Sequence, residues 1–185
     1  PVNICYDGFY SSHLTSGVEI LDQAEVDSIL PPHGDNHVAL LDPNYPLALD
    51  PMTPGNLLMH YRKSHLDAMN KALEVIDDTD SKFAAAFGRS YGGAVEEYRC
   101  EDAETVIVTM GGMTGAGKDA VHEARERGIK VGLLKLRFYR PFPAARVAAA
   151  LKDKKAFSVV DRSVCFGWSR GSMYTEVCSA LMRSG

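Results

Sequence analysis

The chain of 185 residues lacks most of the features that would label it at sight. Its four cysteines, Cys5, Cys100, Cys165 and Cys178, include no C-x-x-C pair. That excludes a zinc ribbon and any iron–sulfur site built wholly from this segment. No surplus of positive charge exists: 20 Lys and Arg against 24 Asp and Glu leave −4. A basic field that recruits nucleic acid is therefore excluded. No apolar run approaches the ~20 residues that span a bilayer. The opening PVNICYDGFYSSH has no basic region ahead of an apolar stretch, so it is no secretory signal. The cysteines accordingly read as reduced thiols of a cytoplasmic protein. An initiator Met is missing, and an apolar strand-like run stands at residue 2. Both lead us to expect a piece of a longer polypeptide. Internal repeats and low-complexity tracts are absent as well.

Proline, by contrast, is concentrated. Residues 1–8 read as a short strand closing at Asp7-Gly8, and residues 9–56 then hold Pro31, Pro32, Pro43, Pro46, Pro51 and Pro54. Such density excludes long helices and central strands there. A connection of that length is expected to run between domains or over a partner. From Leu57 the spacing of Leu58, Arg62, His65, Met69, Ala72 and Ile76 predicts an amphipathic helix ending in the acidic DDTD. Asp80 is then expected to cap a second short helix, through Phe87, stopped by Gly88.

The remainder alternates. ETVIVTMG, KVGLLKLRFY and KAFSVVDR read as strands. AGKDAVHEARERG, PAARVAAALKD and SMYTEVCSALMRSG read as the helices that follow them. Three strand–helix units in succession predict an α/β fold: three layers, a mainly parallel sheet, and helices on both faces.

The glycine-rich turn at Gly112 needs weighing, because GMTGAGKD reads G-x-x-x-x-G-K followed by Asp119. A phosphate loop requires Ser or Thr in that last place, to hold magnesium. A carboxylate there repels polyphosphate by about 4 kcal/mol at ~4 Å and an effective dielectric near 20. In the first turn of a helix the same acid stabilises by about 0.3–1 kcal/mol. A structural turn is thus favoured over a nucleotide-binding module using Gly112–Lys118, which stays as the alternative. Lys118 becomes at most a surface charge near a subunit contact. The dinucleotide pattern G-x-G-x-x-G also fails, since Ala120 stands where its third glycine belongs.

Other chemistry-bearing pairs read as ordinary loops and turns. His33 and His37 in HGDNH share the spacing of zinc ligands on a helix, but Pro31, Pro32 and Gly34 make that segment a loop. Ser12 and His13 stand beside Asp7, too near in sequence for a catalytic triad. They read instead as a turn closed by side chain-to-backbone bonds. In LKLRFYRPFP, strand alternation places Lys135, Arg137 and Tyr139 opposite Leu134, Leu136 and Phe138. Both faces of a central parallel strand are covered, so the cations need partners. We expect carboxylates from another domain or subunit, or an anionic ligand. DRSVCFGWSRG follows a strand at its carboxyl edge, where open sheets bind ligands and partners. Interface use is the favoured reading of Lys135, Arg137, Arg140, Asp161, Arg162, Phe166 and Trp168.

DGFYSSH, DAETVIVTMGG, GIKVGLLKLRFYRPFP and VVDRSVCFGW…G…YTEV together resemble the alpha subunit of the 2-oxoacid:ferredoxin oxidoreductases, of the pyruvate kind. The resemblance covers nearly the whole chain and is strongest from Asp102 to Val177. It implies a tail of a preceding thiamine-pyrimidine-type domain at 1–13, a Pro-rich linker at 14–56, and a transketolase C-terminal-like domain at 57–185. It also implies an enzyme that decarboxylates a 2-oxoacid oxidatively to acyl-CoA. Such an enzyme uses thiamine diphosphate, magnesium, iron–sulfur clusters and coenzyme A, with ferredoxin as acceptor. The expected partners are the other subunits and domains of that enzyme, with no nucleic acid and no membrane. This segment has no G-D-G motif with a following Asn, and no cysteine set for a cluster. No catalytic, cofactor-binding or metal-binding residue is therefore carried over, and the isolated segment is expected to be inactive.

Overall fold

Helix and strand formation follow the apolar periodicity closely from residue 105 onward. In a computed structural model of the protein, which describes residues 2–32, 43, 44, 46 and 52–184, nine elements follow one another among the described residues. They are α1 (Gln23–Asp27), α2 (Gly55–Phe87), β1 (Val95–Tyr98), β2 (Thr105–Met110), α3 (Met113–Glu126), β3 (Val131–Leu136), α4 (Ala144–Leu151), β4 (Ala156–Val159) and α5 (Ser172–Ser184). HGDNH lies outside the described residues.

The sheet order is β1-β3-β2-β4. β2 pairs parallel with β3, Val108 facing Leu134, and parallel with β4, Val108 facing Val159. β1 joins the far edge antiparallel, with Glu96 opposite Lys135. Helices cover both faces. On one, Val106, Val108, Leu134 and Leu136 meet Val147 and Leu151 of α4 and Met173 and Val177 of α5. On the other, Val131 and Leu133 meet Val121 of α3. Each such side chain stabilises the fold by about 1.5–3 kcal/mol through burial. The expected three-layer, mainly parallel α/β architecture is the observed one.

Four local expectations are corrected and one unexpected strand is added. Residues 2–6 form no strand, since no neighbouring strand pairs with them. The DDTD stretch does not end a helix: α2 runs unbroken for 33 residues. Its acids are relieved by cations and donors rather than by a chain break. Lys82 pairs with Asp78, Arg146 donates to Asp77, and Ser90 donates to Asp80. Asp80 therefore ties down the chain after the helix instead of capping a new one, and Gly88, at φ 68°, provides the stop. α3 starts three residues early, at Met113, taking most of the glycine-rich stretch into the helix. Finally, β1 is a strand that no apolar pattern announced, because its VEEY is half acid.

Candidate functional site

β2 lies between β3 and β4, and the helices that follow β2 and β4 cover opposite faces. The carboxyl ends of β2 and β4 are therefore the switch point of the sheet, where open sheets of this kind bind ligands. Here that place is taken by the chain's own Asp7. Its Oδ2 accepts from the Gly112 N–H at 2.6 Å, and its Oδ1 accepts from Arg162 at 2.5 Å. Asp161, one residue earlier, serves α5. Its carboxylate accepts from the N–H groups of Met173 and Ser163, both at 2.9 Å. The paired letters Asp161-Arg162 thus have separate tasks, one capping a helix and one clasping the N-terminal segment.

The glycine-rich stretch is neither a phosphate loop nor a simple turn. Gly112 precedes α3, while Gly115, Gly117 and Lys118 lie inside it. A loop is needed to turn several N–H groups toward one phosphate, and a helix directs them along its own axis. The glycines have packing reasons. A Cβ on Gly112 would overlap Asp7 Oδ2, and one on Gly117 would come within 2.5 Å of Leu133 Cδ1. Thr114, the nearest hydroxyl, is buried against the Thr109 hydroxyl at 3.1 Å. Lys118 bonds to Glu96 and lies 5.2 Å from the centre of the Tyr98 ring. The nucleotide-binding alternative and the view of Lys118 as a surface charge both give way to this geometry.

Lys135, Arg137 and Arg140 find carboxylates within the chain. Glu96, from β1, stands between Lys118 and Lys135 Nζ, the latter at 3.6 Å. Burial alone would raise the Glu96 carboxyl, but the bond and charge of Lys118, joined by Lys135, outweigh it and hold it below the usual 4.5. Arg137 donates to Gly93 O at 2.9 Å, approaches Asp80 at 3.4 Å and lies 5.4 Å over Tyr91. Asp80 is held below its ordinary value of 3.8, first by the Ser90 hydroxyl and also by the Tyr91 and Gly93 N–H groups and Arg137. Arg140 donates to Glu176 of α5 at 2.5 Å and covers Tyr139 at 4.2 Å.

The two aromatic candidates differ from the cations. Cys165 and Arg170 pair across a closed loop, with Ser169 N–H donating to Cys165 O at 2.7 Å. Phe166, 98% exposed, and Trp168, 56% exposed, are held out on that loop beside Val164. The Ser12–His13 pair does form, Oγ to Nδ1 at 2.7 Å, in a turn where Ser12 also accepts from Phe9 N–H. Asp7 is engaged at Gly112 and Arg162, so no triad results.

Sequence reasoning missed Asp7 and Glu96. Glu96 had a signal, since an acid in a short strand beside a Lys-bearing one is a cross-strand pair. Asp7 stood out only as part of DGFYSSH, with nothing to point to its partners, which lie 105 and 155 residues away. The described residues do not fit thiamine diphosphate with magnesium. The helix-start N–H and nearby Arg that would meet a diphosphate already hold a carboxylate. No group of three His, Cys, Asp or Glu converges as a metal site among the described residues. All four cysteines are unpaired and dispersed. Among the described residues no helix is long and apolar enough to cross a membrane.

Comparison with known proteins adds two findings. Residues 103–184 match the family described as pyruvate:ferredoxin oxidoreductase core domain II. Over its whole length the chain is similar to alpha subunits of related enzymes. It is 46% identical to the NADH-dependent phenylglyoxylate dehydrogenase subunit alpha of Aromatoleum evansii, covering 100% of this chain and 46% of that subunit. It is 38% identical to the pyruvate synthase subunit PorA of Methanothermobacter thermautotrophicus, covering 99% of this chain and 46% of the other. Identity to the ketoisovalerate oxidoreductase subunit VorA of Pyrococcus abyssi is 32%, covering 100% and 46%. The chain thus spans about half the length of the curated relatives it matches.

Proposed function

We propose that this chain, whose residues 103–184 match the family described as pyruvate:ferredoxin oxidoreductase core domain II, is a non-catalytic assembly part of a 2-oxoacid:ferredoxin oxidoreductase alpha subunit. The complete enzyme oxidatively decarboxylates a 2-oxoacid to acyl-CoA in the cytoplasm, with ferredoxin as acceptor. It depends on thiamine diphosphate, magnesium and iron–sulfur clusters held by other parts of the assembly. In this reading residues 1–13 close a preceding domain, residues 14–56 connect, and residues 57–185 are the assembly domain.

One contrast carries the reading. At the carboxyl edge, Asp7, Asp161 and Arg162 are bonded to one another or to backbone. Beside them Val164, Phe166 and Trp168 stand exposed. A catalytic edge keeps polar groups free for substrate, whereas an interface holds aromatic anchors ready for burial. Relatives named for phenylglyoxylate, pyruvate and ketoisovalerate resemble this chain over the same extent. Substrate choice, for which pyruvate is our reading, is then made outside it.

The test is reconstitution of the oxidoreductase with Phe166→Ala/Trp168→Ala. Complex formation, followed by light scattering after size exclusion, should be lost while the circular dichroism of the chain is unchanged. A complex of normal mass and turnover would sink the interface assignment. The chain alone should neither reduce ferredoxin with pyruvate nor bind thiamine diphosphate in a calorimeter.

A further inference from the structure

Residues 2–20 invert the ordinary rule of burial. Val2, Ile4, Tyr6, Phe9, Tyr10, Leu14, Val18 and Ile20 are all exposed. Asp7 is the one residue of that span that is not, its side chain only 27% accessible. Apolar side chains ordinarily anchor a segment and acids face water; here the acid is the anchor. It sits where an anion belongs in a sheet of this topology, with one bond to the backbone N–H at the head of α3 and one to a guanidinium beyond β4. Gly112 is shaped to it, since any side chain there would displace the carboxylate.

We propose that Asp7 is a positioning residue, an internal substitute for an anionic ligand, which pins the N-terminal segment across the switch point. The pin sets the register of the Phe9–His13 turn against the 162–170 loop, and it closes this edge to free phosphate. Nothing in this depends on the catalytic assignment; it follows from the geometry of the chain alone.

Hydrogen–deuterium exchange on the protein, with Asp7→Ala beside the native form, tests it. Exchange at the Gly112 N–H and across residues 8–13 should accelerate about tenfold or more, while β2 and β3 amides keep their protection. Inorganic phosphate at tens of millimolar should restore protection at Gly112 in Asp7→Ala but not in Asp7→Ala/Arg162→Ala. A merely structural role would not respond to phosphate in that way. Unchanged exchange at Gly112 and residues 8–13 overturns the pin, and failure of phosphate to restore protection overturns the anion assignment. Should Asp7→Ala not fold, Asp7→Asn keeps an acceptor for Gly112 N–H but loses the ion pair. Its residues 8–13 should then exchange faster than native at low salt and equally fast at high salt, and native rates at low salt would again overturn the pin.

Discussion

Glu96 joins three elements at one carboxylate. It belongs to β1, faces Lys135 across the β1–β3 ladder, and receives Lys118 from α3. Its folded pKa lies below the ordinary 4.5. The unfolded chain therefore binds the extra proton first as pH falls. The stabilisation is complete above about 4.5 and is lost as pH drops through the folded value. Glu96→Gln should lower stability by about 1 kcal/mol at pH 7 and by progressively less toward pH 3. Urea unfolding at both pH values checks this. Cys100 permits an opposite test. Burial pushes its thiol up to about 11, and its Sγ lies 3.3 Å from Leu133 O. It should resist iodoacetamide at pH 8 in the folded protein, while exposed Cys5 is alkylated at once. Peptide mapping of the modified thiols would show the difference.

At the scale of elements, α3 shows why the glycines mislead. Gly115 and Gly117 both sit in its first turns, where glycine costs up to about 1 kcal/mol against alanine. A Cβ on Gly115 would meet nothing within 4 Å, but one on Gly117 would press the buried Leu133. Gly115→Ala should raise stability by about 0.5–1 kcal/mol. Gly117→Ala should lower it by about 1–3 kcal/mol through overpacking, measurable as a shift in thermal midpoint. α2 is the contrary case. It has no buried residue along its 33, and it leaves an open groove of about 330 Å³ against α5, lined by Leu66, Met69, Phe142 and Ala180. Its carboxyl-terminal part is held by polar ties: Arg146 bonds Asp77 at 2.9 Å as well as Gly92 O and Val95 O. Arg146→Ala should accelerate amide exchange in the last turns of α2 while the sheet stays protected, a result read from the same exchange experiment.

For the molecule as a whole, the exposed apolar residues decide its behaviour in solution. The N-terminal segment and the Val164–Trp168 loop hold many of the large apolar side chains exposed to water, among them Ile4, Phe9, Ile20, Phe166 and Trp168. The chain on its own should bind an environment-sensitive apolar dye, and Phe166→Ala/Trp168→Ala should cut that signal by about a third or more. Fluorescence titration measures it. A chain that bound no dye would argue that these residues are ordinary surface.

Periodicity and punctuation determined a great deal by themselves. β2 and β3 were legible because burial on both faces demands continuous apolar strands, β4 because Phe157 and Val159 alternate with exposed residues, and Gly128 and Pro141 mark ends along the way. Such signals are local, since each residue constrains neighbours a few positions away. The resemblance of DGFYSSH and VVDRSVCFGW to segments of the oxidoreductase alpha subunits was legible too, as words, without their meaning. Only the tertiary structure decided what the words do. Asp7 meets Gly112 and Arg162, Glu96 meets Lys118, and Arg140 meets Glu176 because topology brings distant segments to one edge or face. A lysine after glycines carries the same letters in a phosphate loop and in a helix. The difference lies in where the backbone N–H groups point and which carboxylate arrives first, and both are properties of the folded chain.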